Sequence, residues 1–380
     1  MIYVHVPFCR SFCTYCDFYS EIASKEEHGC FEAFSDAVLE EAVSRKEELT
    51  SPSQVNTLYI GGGTPSVLPL DVLGRLVRGI SSIAGRDFDE FTIEVNPEDI
   101  VEKGGEYVRR LVALGVSRIS MGIQSFEDGI LKWMNRRHDS SRASEAFRML
   151  RSEGFRNISV DLIFGLSQLS DAVWTRTIEQ TLSLGPEHIS AYQLSIEEGS
   201  ALGAMVSEGK YSEAGEEQCR RQYDILCTML REAGFHHYEI SNFAKPGFEA
   251  VHNSAYWRRV PYAGLGPGAH SLSSGNIRSW NGQTLPHRLP GGKLVKYSRE
   301  EEILSPEDIR IERIMLPLRT DAGLPAEELY SLSDTSIIAS FLAEGALEEF
   351  SPAGAAGTGT RIRIPEDHFF TSDEIIRELI

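Results

Sequence analysis

From Met1 to about Gly234, short β-branched apolar runs alternate with longer runs whose apolar residues recur every three or four positions. The short runs predict strands at 1–6, 55–60, 90–95, 117–121, 156–163 and 187–194. The longer ones predict helices at 31–49, 70–83, 101–114, 141–153, 170–184 and 215–233. Six βα units in series, with strands read as apolar on both faces, call for a parallel sheet covered by helices. That number suits an incomplete (β/α)6 TIM-like barrel better than a closed eightfold barrel or a flat doubly wound sheet. The expected fold class is α/β.

Beyond residue 236 the pattern changes to short strand-like pieces rich in aromatics and glycine, such as His237-Tyr238-Glu239-Ile240 and Tyr262 to Gly268. These predict a β-rich extension of the sheet over 236–304. From Ser305 come two helical runs, a short strand at Arg361-Ile362-Arg363-Ile364 and a last helix capped by Thr371 or Ser372. Residues 305–380 therefore predict a small α+β domain of winged-helix-like outline, beside the barrel at 1–235.

The unusual residues sit where the strands end. Gly61-Gly62-Gly63-Thr64-Pro65 follows the second strand, Glu94-Val95-Asn96-Pro97 closes the third, Gly122-Ile123-Gln124-Ser125 closes the fourth, and Asp161 lies near the end of the fifth. In parallel barrels that rim binds ligands, so four segments converge on one mouth.

Charge narrows the choice of ligand. A formal net charge of −19 repels phosphate backbones and acidic membrane faces, which excludes nucleic acid as an expected partner. No run approaches the roughly 20 apolar residues of a membrane span, and the first residues lack the features of a signal peptide, so a cytoplasmic protein is expected. Six cysteines in 380 residues are too few for a disulfide scaffold. Three crowd into Cys9-Arg10-Ser11-Phe12-Cys13-Thr14-Tyr15-Cys16, in a loop after the first strand, which points to metal ligation.

Three thiolates at this spacing wrap one face of a [4Fe–4S] cube and leave one iron without a protein ligand. Such an iron can chelate the amino and carboxylate groups of S-adenosylmethionine (SAM). Zinc normally takes four ligands, and nearby candidates do not complete a zinc ribbon. Cys30, Cys219 and Cys227 lie in helical runs and read as packing residues.

Together with Val6-Pro7-Phe8-Cys9, Cys16-Asp17-Phe18-Tyr19, Gly61 to Ser66, Glu94-Val95-Asn96-Pro97 and Asp161 to Leu166, this loop resembles the radical SAM superfamily, specifically its coproporphyrinogen dehydrogenase/HemW branch. The resemblance runs from Tyr3 to about Ser271. It implies that Gly62, with Gly63 and Thr64, approaches the methionine amino group, where a side chain would interfere. It implies Glu94 on an amine or ribose hydroxyls, Gln124 on either polarity, Arg136 on a carboxylate and Asp161 on ribose or amine. Tyr3 and Tyr15 are implicated beside the cluster, and Ser195 more loosely. Singly, each has a plainer reading: a tight turn at Gly61 to Thr64, solvated charges at Arg136 and Arg137, a helix cap at Glu94. The family's usual Gly-Leu-Pro-Gly-Gln-Thr stands here as Gly165-Leu166-Ser167-Gln168-Leu169-Ser170, which puts a contact from that loop in doubt.

Two features separate members of this branch. Dehydrogenases carry a further cysteine two residues after the triplet, where this chain has Phe18, and a long N-terminal extension, whereas here the first cluster cysteine is residue 9. His252-Asn253-Ser254-Ala255-Tyr256-Trp257 matches the HNxxYW motif of HemW proteins. The match implies heme, with His252 as axial ligand, Tyr256 and Trp257 as flat faces, and Arg258 and Arg259 on propionates. By residue type alone, a hydrogen-bonded His252 above core aromatics is the plainer reading; the resemblance reverses it. The expectation is a heme chaperone serving target hemoproteins, with a transient membrane-protein recipient and a homodimer as further partners. The alternative is an oxygen-independent coproporphyrinogen III dehydrogenase.

Overall fold

The computed structural model describes residues 1–23, 28–51, 55–351 and 359–380. The six expected strands form β1 (Ile2–Val6), β2 (Thr57–Gly62), β3 (Glu90–Val95), β4 (Arg118–Gln124), β5 (Ile158–Phe164) and β6 (His188–Gln193), parallel and adjacent in chain order. Helices α1 (His28–Ser44), α2 (Leu70–Ala84), α3 (Pro97–Ala113), α4 (Ser140–Ser152), α5 (Asp171–Leu184) and α6 (Glu216–Glu232) follow the strands in turn. This is the curved, incomplete α/β barrel that the periodicity predicts.

Local chemistry sets the boundaries. On α2, Val72, Leu73, Leu76, Val77 and Ile80 recur on one buried face, and Gly85 ends the helix at φ 68°, a left-handed conformation that costs glycine little. Asp139 starts α4 by accepting from the Arg142 N–H at 2.8 Å. Helix α3 begins at Pro97, four positions before the expected start at 101, because proline at a first helical position loses no hydrogen bond. Gly104, at φ 71°, interrupts it about two turns later.

One expectation is corrected. The strands are not apolar on both faces. Leu58, Ile60, Phe91, Ile93, Ile119, Met121, Val160, Leu162 and Ile189 belong to the hydrophobic core. The alternate positions Tyr59, Glu94, Arg118, Ser120, Asp161 and Ser190 line an internal cavity. The period of two separates a hydrocarbon shell from a polar interior.

The extension adds to both edges of the sheet. Strands β7 (His236–Glu239) and β8 (Asn242–Ala244) run antiparallel beside β6, and β9 (Ala263–Leu265) runs parallel beside β1. The full order is β9-β1-β2-β3-β4-β5-β6-β8-β7. Gly264 is required there, since a Cβ would stand 1.9 Å from the His270 carbonyl oxygen. Helix α7 (Val251–Trp257) lies at the N-terminal end of the barrel, where both Glu90 carboxylate oxygens accept from Val251 N–H and His252 N–H at 2.9 and 2.8 Å. Past Ser305, whose hydroxyl pairs with Asp308 in a reciprocal cap, the described residues form four helices and a three-stranded antiparallel sheet. Ile314, Leu318, Ile362 and Ile376 from this region join the same continuous core as the barrel.

Candidate functional site

At the carboxyl ends of the strands lies a cavity of about 470 Å³, lined by Cys9, Cys13 and Cys16 with residues from β2 to β6. Cys9 is fixed from behind by Phe8, whose ring packs edge-on against Phe31 and Phe34 at 4.8 and 5.4 Å. The rest of the loop is pinned through Thr14, whose N–H donates to Met134 O at 3.1 Å and whose hydroxyl donates to Trp133 O at 2.8 Å. Those acceptors come from the end of a short helix after β4, Asp128–Trp133, and its cap Met134, an element that the periodicity did not reveal. Cys16 N–H turns back to Cys13 O at 3.3 Å.

The three thiols face one space. Three thiolates bordering one cavity suit three corners of an iron–sulfur cube. A Cβ on Gly63 would come 2.7 Å from the Phe8 carbonyl oxygen and 3.1 Å from Cys9 Sγ. Thr64 Oγ1 sits 3.5 Å from the same sulfur. Burial raises the Cys9 thiol and pushes Cys16 up to about 11.

Beside them, Arg136 reaches three groups. One guanidinium nitrogen donates to Cys13 Sγ at 3.4 Å, and another to Asn96 Oδ1 and the Gly122 carbonyl, both at 2.6 Å. Burial works against its charge, but Tyr15 and Cys13 more than restore it. Glu94 accepts from Tyr59 Oη at 2.8 Å and from Gly62 N–H at 3.1 Å, where Gly62 adopts φ 110°. Burial lifts the Glu94 carboxyl to about 7, and Asp161 adds to this, while the Tyr59 hydrogen bond opposes it. Asp161 accepts from Ser120 Oγ at 3.0 Å and is likewise raised by burial. A bulge between Gly122 and Gln124 puts Gln124 at φ 68° and delivers its side chain to the same cavity. Carboxylates, an amide and the Arg136 guanidinium around a glycine-walled pocket can hold a zwitterionic amino-acid group and a ribose.

Tyr15, Gly62, Gly63, Thr64, Glu94, Gln124, Arg136, Asp161 and, at the far rim, Ser195 all border this space. Tyr3, on β1, has its hydroxyl 3.0 Å from His5 Nδ1 and its ring against Tyr59, which borders the cavity. None of residues 165–170 lines the cavity.

The His252 motif lies on α7 at the barrel floor. His252 is 1% exposed beneath the barrel, with Nδ1 2.7 Å from Thr57 Oγ1 and Nε2 3.0 Å from Tyr256 Oη. Burial, then the chain's N-terminal amine, lowers its pKa to about 3. Both ring nitrogens are engaged, so in this conformation it does not present a free nitrogen to an iron. Tyr256 is packed edge-on to Tyr262, and Trp257 is half-buried. Arg259 is paired with Glu312 at 2.5 Å and Asn276 at 2.7 Å rather than free for a propionate, and Arg258 remains exposed.

Sequence reasoning missed Tyr59, Arg118, Ser120, His138 and Tyr192, all of which border the cavity. Four of them occupy alternate positions on the strands, and that polar alternation was the available signal. His138 reaches the cavity through a hydrogen bond to Ile123 O at 3.1 Å, which no local pattern announces.

A parallel partial barrel with three cysteines in its first loop and a glycine-walled pocket at its mouth defines a radical SAM protein, and residues 3–180 match the model for the radical SAM superfamily. The chain belongs to that superfamily, in the family of proteins named heme chaperone HemW. It is 33% identical over 326 residues to "Heme chaperone HemW" of Bacillus subtilis, covering 85% of this chain and 84% of that one. The protein of the same name from Lactococcus lactis is 33% identical over 327 residues, covering 86% and 83%. "Radical S-adenosyl methionine domain-containing protein 1, mitochondrial" of Bos taurus is 31% identical, covering 85% and 74%. Among solved structures, coproporphyrinogen III oxidase (HemN) from Escherichia coli superposes with a TM-score of 0.75 over 99% of this chain and 88% of its own, at 20% identity, a likeness of fold. Membership implies SAM and a [4Fe–4S] cluster. Among the described residues no helix is long and apolar enough to cross a membrane.

Proposed function

We propose that this chain is a heme chaperone of the cytoplasm that takes up heme and passes it to target hemoproteins. In this reading Cys9, Cys13 and Cys16 hold the cluster, which when bound supplies an open iron for SAM. Gly62, Gly63, Thr64, Glu94, Gln124, Arg136 and Asp161 receive SAM beside it, and Tyr15 closes one side. The 1–235, 236–304 and 305–380 segments serve as barrel, extension and appended domain.

One observation carries the choice of chaperone over dehydrogenase. Phe18 stands 66% exposed at the cavity mouth, where the dehydrogenase pattern has a further cysteine, and Phe12 beside it is 50% exposed. An apolar rim favours a flat hydrophobic ligand at the surface over one sealed within. For His252 to ligate the heme iron, its ring must give up either the Thr57 hydroxyl on β2 or the Tyr256 hydroxyl on its own helix.

The test is an anaerobic assay on protein with a reconstituted cluster. Heme should bind at about one equivalent and move to an apo-hemoprotein, with a spectrum altered by His252→Ala, and coproporphyrinogen III should persist under reduction. Consumption of that porphyrinogen would overturn the reading in favour of the dehydrogenase.

A further inference from the structure

Away from the cavity, Cys227 on α6, His237 on β7 and Glu366 in the turn before the last helix converge at the β7 edge of the sheet. Their Sγ, Nδ1 and carboxylate oxygen atoms all lie within 4.8 Å of one another. Sγ to Nδ1 is 3.9 Å and Nδ1 to Oε1 is 3.1 Å. A tetrahedral ion with bonds of about 2.3 Å to sulfur and about 2.0 Å to nitrogen and oxygen has edges of roughly 3.3–3.6 Å. The observed spacings bracket that range. Cys227 and His237 are buried, at 8% and 7% exposure.

The surroundings orient each donor. His237 Nε2 lies 3.4 Å from Tyr223 Oη, and that hydroxyl donates to the Ile240 carbonyl at 3.2 Å. The tautomer in which Nε2–H donates to the Tyr223 oxygen turns an Nδ1 lone pair toward Cys227 and Glu366. The ring is stacked on Phe243 at 3.9 Å and flanked edge-on by Phe369 at 5.0 Å. Glu366 is steadied through its other oxygen by Arg231 at 2.9 Å. A histidine whose second nitrogen is hydrogen-bonded and a carboxylate held from behind are the outer contacts of a ligand set. The plainer arrangement, His237 Nδ1–H donating to Glu366 with Cys227 as bystander, leaves the sulfur without a role.

We propose that Cys227, His237 and Glu366 bind one Zn²⁺ ion, with water completing the tetrahedron on the side where the Glu366 side chain is 34% exposed. The ion displaces the thiol proton of Cys227 to solvent. The mixed sulfur, nitrogen and oxygen set selects a borderline cation over magnesium or calcium. The site ties the last barrel helix and the edge strand to a segment 129 residues further along, so it acts as a clasp between barrel and C-terminal region.

The test uses the full chain with its cluster reconstituted, so that Cys9, Cys13 and Cys16 are occupied. After exposure to zinc sulfate and passage over a weak chelator, about one equivalent of zinc should remain. Zinc-edge X-ray absorption should show a single sulfur neighbour at about 2.3 Å with lighter atoms nearer. Cys227→Ser should abolish the sulfur shell. Glu366→Gln, a mild change at a partly exposed position, should weaken retention at least about tenfold. Failure of the wild-type chain to retain zinc, a spectrum with several sulfurs, or retention unchanged in both variants would each overturn the site.

Discussion

Arg136 donates to Cys13 Sγ across 3.4 Å while its other nitrogen holds the Gly122 carbonyl at 2.6 Å, so one guanidinium couples the cysteine loop to the end of β4. A positive charge beside a thiolate ligand stabilises the more negative state of whatever the thiolate holds. Arg136→Gln should therefore lower the midpoint potential of the reconstituted cluster, on the order of 50 mV, with iron content retained. EPR-monitored redox titration measures it; an unmoved potential would show that the arginine is only structural.

Gly63→Ala forces a methyl group against the Phe8 carbonyl and Cys9 Sγ. The expected outcome is protein with near-native circular dichroism that takes up less than about half the iron of the wild type. Full reconstitution of the variant would show that the loop yields more readily than its packing suggests.

Glu94 and Glu239 both carry carboxyls raised to about 7, chiefly by burial, above an unfolded value of 4.5. A raised folded-state pKa favours the protonated form, so their contribution is complete below pH 4.5 and is lost as pH rises through 7. Each is worth on the order of 3 kcal/mol. Ligand-free protein should lose stability across that interval, and Glu94→Gln should flatten part of the slope in urea titrations at several pH values. SAM affinity should run the opposite way, rising as pH passes 7, because an ammonium group pairs with ionised Glu94. Calorimetry showing the same affinity at pH 6 and pH 8 would remove Glu94 from the amine site.

His252→Ala strips the partner from two hydroxyls, Thr57 and Tyr256, and opens space in the barrel floor. A loss of about 2–4 kcal/mol in unfolding free energy is expected. Denaturant curves on ligand-free protein check this. An unchanged midpoint would mean that the floor is already open in solution, which would favour a heme iron at this residue.

The barrel was legible because its helices and strands obey simple periods: Val72, Leu73, Leu76 and Val77 give away α2, and Leu58 and Ile60 give away β2. The cluster loop was legible because three cysteines in eight residues have few other uses. What stayed hidden depends on depth within the barrel. Tyr3 and Tyr59 sit side by side in the register of β1 and β2, yet Tyr59 borders the cavity and Tyr3 does not. Cys227 read as packing, since its partners His237 and Glu366 are brought to it only by tertiary structure. The strand Arg299–Ile303, nearly all charge and wholly exposed, is held by backbone pairing to Ile277–Asn281 and has no side-chain signature.

The alternation of hydrocarbon and polar side chains along β2 to β6 divides the molecule into concentric tubes. Tolerance to mutation should divide with it: replacements on the outer tube, at Ile60 or Met121, remove the adhesion that keeps the helices in place, whereas replacements on the inner tube, at Ser120 or Tyr59, leave a folded vessel with altered contents. Chemistry in such a vessel can drift over evolutionary time while its wall stays the same.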